Sequence, residues 1–357
     1  MDGVALSAPV RYCRRRRRSE HWRYHGVPEG RYGLGVTVEV VTDVLGEPYT
    51  CRTIALKDDD EGPVSATLVA CRASQPTGAA VLYVHGFVDY FFQTHLADFF
   101  TARGIDFYAL DLRKHGRSIQ PHQTPNFCAD LTEYYPELDE AVRIIREENG
   151  HERLLVNGHS TGGLVTALWA HDRRADRKVD AMFLNSPFLD LNAPAMVRSV
   201  LAPVAVRLGR TRPRADLRLG LNQVYGRSIH RDHDGEWEYD LGWKPLQAFP
   251  VRAGWLRAIR LGHARVHNGL DIEAPVLVAC STASYKRARW GEAARAADSV
   301  LDVDQIARWT PALGRHTTLI RVEGGLHDLT LSSKAVRDNL FEAVGRWMSA
   351  YFPTIVG

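Results

Sequence analysis

The chain has 357 residues, of which 45% are hydrophobic, and a formal net charge of +3. This length and composition predict one large buried core, or a core with a smaller inserted domain, and exclude a disordered chain. No apolar run approaches the roughly 20 residues that span a bilayer, and no signal-peptide pattern opens the chain, so we expect a cytoplasmic protein without stable membrane insertion.

The first segment along the chain is a basic tail in which arginine occupies every position from 14 to 18. A patch for nucleic acid or an anionic membrane is one interpretation of such a run. No apolar pattern accompanies the arginines, however, which favours a solvated tail ahead of the fold. We therefore expect residues 1–30 to be disordered and expect no nucleic-acid partner.

A hairpin and a series of strands and helices follow. The stretches 50–56 and 64–70 flank a polar turn and predict two antiparallel strands. Short runs rich in β-branched and aromatic residues then alternate with longer amphipathic segments, which is typical of βα units around a parallel sheet. The predicted buried strands are 80–84, 106–110, 153–156, 181–184, 276–279 and 318–322, and the predicted helices are 132–148, 163–173 and 334–349. The fold class is therefore α/β.

One long interval interrupts this alternation, between the strands predicted at 181–184 and 276–279. It is too long for a plain loop, and it is rich in arginine, glycine and tryptophan. We predict an inserted cap at 189–272, which separates a first part of the core, 31–188, from a second part, 273–357.

A serine between glycines follows one of the buried strands, because residues 158–162 read Gly-His-Ser-Thr-Gly. This G-x-S-x-G pattern is that of a nucleophile elbow, a strand-to-helix turn so tight that neighbouring side chains must be nearly absent. A glycine-rich turn before an ordinary helix is the alternative interpretation. The strand before the motif and the helix after it favour Ser160 as a catalytic nucleophile.

A serine hydroxyl is a weak nucleophile until a base removes its proton. His327 lies just past the last predicted strand, where a loop can bring an imidazole to the same sheet edge as Ser160. A loop histidine without a catalytic role is the alternative. We predict that His327 is the base.

The imidazole needs a carboxylate to fix its tautomer, and the chain order in such a fold is serine, acid, histidine. Four aspartates compete for this role: Asp298, Asp302, Asp304 and Asp190. We favour Asp298 and place Asp302 second, although residues 280–296 form an insertion between the preceding strand and Asp298. Surface salt bridges are the expected role of the others.

The oxyanion of a tetrahedral intermediate needs preorganised backbone donors. We predict that the amide of Thr161, directly after the nucleophile, is one donor. The amide of Phe87, in the segment Val-His-Gly-Phe at 84–87 after an early strand, is the other. The alternative for 85–86 is an ordinary strand-ending turn.

Other groups of residues give weaker signals. His230 and His233, with Asp232 and Asp234, are spaced for a metal on a helix, but nearby Gly235 favours a polar turn. Five scattered cysteines without C-x-x-C spacing predict reduced thiols. We therefore expect no metal site and no cofactor. Aromatic residues at 90–92, 237, 239 and 243 line either an acyl pocket or the core.

Four segments together resemble the monoacylglycerol lipase and lysophospholipase group of the α/β-hydrolase superfamily, often classed with the serine aminopeptidases. They are Tyr-Val-His-Gly-Phe at 83–87, Leu-Asp-Leu-Arg-Lys-His-Gly-Arg-Ser at 110–118, the serine motif at 158–162 and Gly-Gly-Leu-His at 324–327. The resemblance extends from Gly46 to the end of the chain and is weakest in the cap. Lys114 stands where this group commonly has glycine.

The resemblance implies a mostly parallel eight-stranded sheet with helices on both faces. It also implies Ser160 as nucleophile, His327 as base, Asp298 as acid in an Asp-x-x-x-Asp pattern, and oxyanion amides from Phe87 and Thr161. The expected substrates are small-molecule acyl esters such as monoacylglycerols or lysophospholipids, with transient contact with a membrane surface. A proline-type serine aminopeptidase and a non-catalytic binding protein with the same fold are the alternatives.

Overall fold

The structure is a computed structural model that describes residues 39–192, 203–204, 206–218 and 223–353. The predicted tail at 1–30, with its arginine run, lies outside the described residues. Nine strands form one sheet in the order β1-β2-β3-β5-β4-β6-β7-β8-β9. They are β1 Val40–Thr42, β2 Thr50–Ala55, β3 Ser65–Cys71, β4 Ala79–Val84, β5 Asp106–Asp111, β6 Arg153–His159, β7 Ala181–Asn185, β8 Val276–Ser281 and β9 Thr317–Val322.

The fold class and the mostly parallel sheet are confirmed. Strands β1, β2, β3 and β5 pair antiparallel, as the predicted hairpin requires, and all pairs from β5 through β4 to β9 are parallel. The expected count of eight strands was one too low. The missed strand is β1, a three-residue edge strand that pairs with β2 and is too short to show an alternating pattern.

Helices cover both faces of the sheet. They are α1 Thr94–Thr101, α2 Tyr135–Arg143, α3 Thr161–Asp172, α4 Val224–Ile229, α5 Ala253–His267, α6 Val303–Trp309 and α7 Lys334–Tyr351. Strand β4 shows why two layers form, since it is buried throughout and its side chains alternate between two cores. Leu82 packs with the core that includes α2, α3 and α5, whereas Tyr83 packs with the core that includes α1 and α7.

The helix predicted at 132–148 is built from three successive helical segments. A 3-10 turn, Leu131–Tyr134, precedes α2, and a π turn, Ile144–Glu148, follows it. Asp130 caps the 3-10 turn with a capping box, and a proline lies at the start of α2, where a missing N–H costs little. The apolar periodicity was correct, but it does not distinguish these helical types.

The parallel strands bring the motif-bearing segments to one edge. Val84 pairs with Gly158, and His159 pairs with Asn185, so β4, β6 and β7 end side by side. Ser281 pairs with Val322 at the ends of β8 and β9. Because a site in such a sheet forms at the carboxyl ends of the strands, this edge is where functional side chains are expected.

The chain between β7 and β8 contains α4 and α5 among its described residues. Trp255 of α5 packs against Phe87 with ring centroids 4.1 Å apart, and Trp237 donates its indole N–H to the Leu331 carbonyl at 2.8 Å. This segment therefore contacts loops at the carboxyl edge. None of the helices in the described part of the chain is both long and apolar enough to cross a membrane.

Candidate active site

Ser160 lies between β6 and α3 in a backbone conformation that few residues adopt. Its φ is 51° and its ψ is −117°, a combination that is strained for a residue with a Cβ atom and is characteristic of a nucleophile elbow. The Ser160 amide donates to the Asn185 carbonyl at 3.0 Å, and its carbonyl accepts from the Phe188 amide at 3.0 Å. These two backbone bonds, to the end of β7 and to the segment after it, hold the turn in place.

The glycines of the motif allow the turn to pack closely. A Cβ atom on Gly162 would overlap the carbonyl oxygens of His85 and Val84, and one on Gly158 would overlap Thr166 and Gly163. Backbone oxygens cannot move aside as a flexible side chain would. Glycine at 162 is therefore required for the close approach of α3 to the end of β4, and glycine at 158 for the close approach of α3 to the end of β6.

The structure brings Ser160, His327 and Asp298 together in one hydrogen-bonded chain. His327 Nε2 is 2.9 Å from Ser160 Oγ, and His327 Nδ1 is 2.9 Å from Asp298 Oδ2. All three side chains are buried, and Asp298 is fully so. A neutral imidazole that donates from Nδ1 to Asp298 leaves Nε2 free to accept the serine proton, which is the arrangement that general-base activation requires.

The Asp298 carboxylate is fixed by its own loop. Its Oδ1 accepts from the amides of Val300 and Leu301, both at 2.8 Å, which leaves Oδ2 for His327. The backbone of Asp298 is anchored to the segment after β8, because its amide donates to the Ala283 carbonyl at 2.9 Å and its carbonyl accepts from the Tyr285 amide at 2.6 Å. The insertion after Cys280 thus returns to the segment that directly follows β8, and Asp298 lies at this point.

The three competing aspartates have other partners. Asp302 caps the N-terminus of α6 and pairs with Lys286 at 3.0 Å. Asp304 pairs with Arg321 at 3.0 Å, and Asp190 pairs with Arg260 at 3.1 Å. Only Asp298, among these four, has a carboxylate at hydrogen-bonding distance from His327.

The segment after β4 runs alongside the serine. A Cβ atom on Gly86 would lie 3.0 Å from the Ser160 Cβ, so this loop passes directly beside the nucleophile. His85 braces the loop, since its Nδ1 donates to the Gly86 carbonyl at 2.8 Å and its Nε2 accepts from the Leu112 amide at 3.0 Å. Thr161 is the first residue of α3, where the amide has no partner within the helix. Thr161 therefore directly follows the serine, and the loop that carries Phe87 passes beside it at Gly86.

Lys114 stands where the group that this sequence resembles commonly has glycine, and the backbone conformation at this position explains why glycine suits it. Lys114 has a φ of 62°, in the left-handed region that favours glycine. Its side chain is nearly buried, and its ammonium pairs with Asp59 and Glu61, both at 2.6 Å. Two ion pairs thus compensate for the strained backbone. Burial raises the pKa of Glu61, but the hydrogen bonds from Lys114 and Thr124 outweigh this effect and lower that pKa to about 2.

A buried polar layer, which the sequence interpretation did not identify, lies beside the catalytic residues. Asp328 Oδ1 accepts from the Asn185 side chain at 2.7 Å and from the Thr330 hydroxyl at 2.7 Å, and its Oδ2 accepts from Gln93 at 3.1 Å. Burial opposes ionisation, but neighbouring His159 and these donors outweigh it and lower the pKa of Asp328. The layer connects the loop of His327 to β7 and α1.

Asp89, His159 and Asp328 also form a group whose possible ligand atoms lie within 4.8 Å of one another, among the residues described. The donors that surround Asp328 already occupy both of its oxygens, and Lys244 Nζ lies 2.7 Å from Asp89 Oδ1. Burial lowers the pKa of His159. Lys244 therefore already pairs with Asp89, and side-chain donors already bond both oxygens of Asp328.

The predicted aromatic residues divide between the main core and a separate aromatic cluster. Phe91 is fully buried and packs against Tyr83 and Phe107 beneath the sheet. Tyr90 and Phe92 instead pack in a separate cluster that includes Tyr239, Trp237 and Trp243 from the chain between β7 and β8. His230, a weak metal candidate, lies just after α4, with its ring 4.8 Å from that of Tyr239.

Four functional candidates were missed, two of them because nothing local marks them. Tyr225, whose ring is 5.4 Å from that of His327, and Lys244 lie in the interval that has no clear sequence pattern. Asn185 and Asp328 did carry a signal, since each is a polar residue directly after an apolar strand or beside the predicted base. A polar residue that ends a buried strand is a reasonable candidate for a site at the carboxyl edge.

Comparison with known proteins identifies one family and several relatives. Residues 75–285 match the family model described as serine aminopeptidase, S33. A monoacylglycerol lipase of Mycolicibacterium smegmatis is 33% identical over 207 residues, which cover 57% of this chain and 69% of that protein.

Two solved structures share the fold. A monoacylglycerol lipase from Paleococcus ferrophilus superposes with a TM-score of 0.59 at 21% identity, covering 80% of this chain and 99% of its own. A soluble variant of monoglyceride lipase from Saccharomyces cerevisiae, bound to a substrate analog, gives a TM-score of 0.60 at 15% identity, covering 84% and 96% respectively. At these identities the structural likeness bears on the fold alone.

Proposed function

Because the chain belongs to the serine aminopeptidase S33 family, within the monoacylglycerol-lipase-like group of α/β-hydrolases, and is therefore a hydrolase of the esterase and lipase type, we propose that it cleaves carboxylic esters through an acyl-enzyme on Ser160. The observation that carries the proposal is the chain of two 2.9 Å hydrogen bonds from Ser160 through His327 to Asp298.

The proposed reaction has two halves. Ser160 Oγ attacks the ester carbonyl while His327 Nε2 takes the serine proton and then gives it to the leaving alcohol. Asp298 holds the imidazole by its Nδ1–H and stabilises the imidazolium. The amides of Phe87 and Thr161 donate to the oxyanion. Water, deprotonated by His327, then hydrolyses the acyl-enzyme and releases the carboxylic acid.

The proposed substrates are esters with a single acyl chain, such as monoacylglycerols or lysophospholipids. Support comes from the name of the Mycolicibacterium smegmatis relative, a monoacylglycerol lipase, and from an aromatic cluster whose member Tyr225 has its ring 5.4 Å from that of His327. We also propose that residues 189–272 form a cap over the core made of 31–188 and 273–357. The contacts of Trp255 with Phe87 and of Trp237 with the Leu331 carbonyl favour this division.

A fluorophosphonate probe tests the nucleophile. We expect covalent labelling of the wild-type protein, no labelling of Ser160→Ala, and normal labelling of Ser349→Ala, which removes an exposed hydroxyl from α7. Folded wild-type protein that stays unlabelled would support a non-catalytic binding protein and contradict the proposal.

A substrate panel tests the reaction class. p-Nitrophenyl esters of increasing chain length, a monoacylglycerol, a lysophospholipid and a prolyl amide are compared by kcat/KM in wild-type protein and in Ser160→Ala. We expect turnover of the esters, with loss in Ser160→Ala of at least about 10⁴-fold. Preference for the prolyl amide over all esters would favour the aminopeptidase alternative instead.

A further inference from the structure

Lys244 extends from the chain between β7 and β8 to a buried carboxylate beside the oxyanion loop. Its Nζ lies 2.7 Å from Asp89 Oδ1, and the side chains of Lys244 and Asp89 are only 7% and 2% exposed. Asp89 follows Phe87, the predicted oxyanion donor, by two positions. A lysine is rarely buried to this degree unless it is paired.

Aromatic rings surround the Lys244 ammonium. Its Nζ lies 5.8 Å from the ring centre of Phe92, 5.5 Å from that of Tyr225 and 5.8 Å from that of Tyr239. Three rings at this range form a site that attracts any cation with an apolar body, whether it belongs to a protein side chain or to a ligand.

The Asp89–Lys244 pair lies next to the catalytic residues. A ligand atom of Asp89 is within 4.8 Å of one on His159, and the His159 ring is 4.9 Å from that of His327. Tyr225, which Lys244 contacts, packs edge-on against His327 at 5.4 Å. One side chain therefore separates the ion pair from the base that activates Ser160.

The pair leaves polar atoms without partners. Neither Asp89 Oδ2 nor the Tyr225 hydroxyl has a hydrogen-bond partner among the described residues, and both atoms are buried. An acceptor and a hydroxyl thus remain beside an ammonium in an aromatic setting. This is the set of groups with which a protein recognises a substrate ammonium, except that the ammonium here belongs to the protein itself.

We propose that Lys244 determines substrate specificity, since its ammonium neutralises the buried Asp89 carboxylate one side chain away from His327, so that neutral acyl esters are accepted and aminoacyl esters are rejected. The inference rests on the proposed ester hydrolysis at Ser160. It assigns the difference between an esterase and an aminopeptidase to one side chain that does not touch the reacting atoms.

The physical basis is the charge of a buried site. With Lys244 present, the Asp89 carboxylate is already paired, so a second ammonium meets repulsion from Lys244 and gains no unpaired carboxylate at Asp89. Without Lys244, the Asp89 carboxylate is left buried and unpaired, a state that strongly favours an incoming cation. Specificity of this kind depends on the repulsive element as much as on the attractive one.

Two substrates of equal shape provide the assay. The p-nitrophenyl esters of isobutyric acid and of alanine differ only by a methyl group in place of an ammonium. The measured quantity is the ratio of kcat/KM for the alanine ester to that for the isobutyrate ester. Hydrolysis of the isobutyrate ester that depends on Ser160 tests the proposed function separately, so failure of that function and failure of the present inference are distinguishable.

The variant Lys244→Met keeps the length of the side chain and removes the charge. We expect the ratio to rise by about tenfold or more. Lys334→Met, which removes an exposed lysine from α7, is the matched control and leaves the ratio unchanged. The double variant Asp89→Asn with Lys244→Met has no buried charge at this pair and is expected to keep the wild-type preference for the neutral ester.

A binding measurement is independent of turnover. We expect propylammonium chloride to raise the Tm of Lys244→Met relative to an equal concentration of sodium chloride, with no such effect on wild-type protein or on the double variant. If Lys244→Met does not fold, Asp89→Asn takes its place. That variant leaves an unpaired ammonium and is expected to favour a hemisuccinate ester over the butyrate ester by about tenfold relative to wild type.

Either of two results would overturn the proposal. One is an unchanged alanine-to-isobutyrate ratio in folded Lys244→Met. The other, if that variant is unfolded, is an unchanged preference for the hemisuccinate ester in Asp89→Asn.

Discussion

The elbow that presents Ser160 and the loop that presents Asp298 each hold a catalytic side chain in a fixed position, but they do so in different ways. At the elbow, residues adjacent in the chain make the geometry, since β6, the strained serine and α3 follow one another without a break. In the acid loop, the residues between Ser281 and Asp298 leave the sheet and return, and the chain closes on itself through the Ser284–Asp298 bridge. One arrangement is local and the other is long-range.

This difference determines what each region tolerates. The elbow is limited by space, because a single Cβ atom on Gly162 meets backbone oxygens of the neighbouring strand. The acid loop is limited by hydrogen bonds, because two backbone amides and His327 divide the oxygens of Asp298 among them. Substitutions that change volume therefore test the first region, and substitutions that change charge at constant volume test the second.

The largest effect is expected for the charge of the acid. Asp298→Asn keeps the volume but presents an amide to His327, so the imidazole no longer has a carboxylate to hold its tautomer and stabilise its cation. We expect kcat for a p-nitrophenyl ester to fall by about 10⁴-fold, with little change in the circular dichroism spectrum.

The matched control for this prediction is Asp302→Asn, since Asp302 was the second candidate for the acid. Asparagine also caps helices well, so α6 keeps its N-terminal partner. We expect near-normal turnover. The assignment of Asp298 would be wrong if its asparagine variant retained turnover and the Asp302 variant lost it.

The next effect in size concerns space at the elbow. Gly162→Ala places a methyl group against the carbonyl oxygens of His85 and Val84, and we expect a loss of about 3 kcal/mol in the free energy of unfolding, measured with urea. Gly345→Ala, inside α7, meets no atom closer than 3.6 Å and should gain roughly 0.5–1 kcal/mol from helix propensity. Equal effects at the two positions would show that the elbow is not tightly packed.

The local region was the easier one to predict from sequence. The strand at 153–156, the turn and the helix at 163–173 were placed within a few residues of β6 and α3, because apolar runs and glycines report directly on backbone geometry. His327 was predicted in the same way, from its position after the last strand, and it lies 2.9 Å from Ser160 Oγ. The sheet was confirmed, apart from β1, which is too short to leave a pattern.

Features that depend on long-range contacts were harder to predict from sequence. Four aspartates stayed open because the path of the chain after Cys280 depends on contacts with Ala283 and Tyr285 that no local pattern encodes. The buried layer around Asp328 and the pairing of Lys244 with Asp89 join segments more than 140 residues apart. Composition indicates only that such polar residues prefer the surface, so their burial is not predictable from sequence.

The buried Asp328 provides a test of the layer that connects the elbow to the His327 loop. Its folded pKa lies below the ordinary value of 3.8, so its ionised form contributes stability above that pH. This contribution is lost as pH falls through the folded pKa. We expect Asp328→Asn to lose about 2 kcal/mol at pH 7, because one of the two donors, Asn185 or Gln93, then faces an NH2 group, and to lose less than wild type on acidification below about pH 4.

Urea unfolding at a series of pH values measures this difference, with the exposed Asp304→Asn as the control. A variant curve parallel to that of wild type across the acid range would contradict the assignment of the acid-dependent stability to Asp328.

The smallest effect is expected at the surface of the acid loop. Lys286 pairs with Asp302 at 3.0 Å, but its side chain is 61% exposed, so water and salt screen the attraction. Lys286→Met should change the free energy of unfolding by less than about 0.5 kcal/mol and leave kcat unchanged. This null effect matters for the comparison, because Asp302 and Asp298 are four positions apart and only burial and partners separate them. A fall in kcat of about fivefold or more in Lys286→Met would instead mean that the charge of Asp302 reaches His327, and the acid would then be shared between two aspartates.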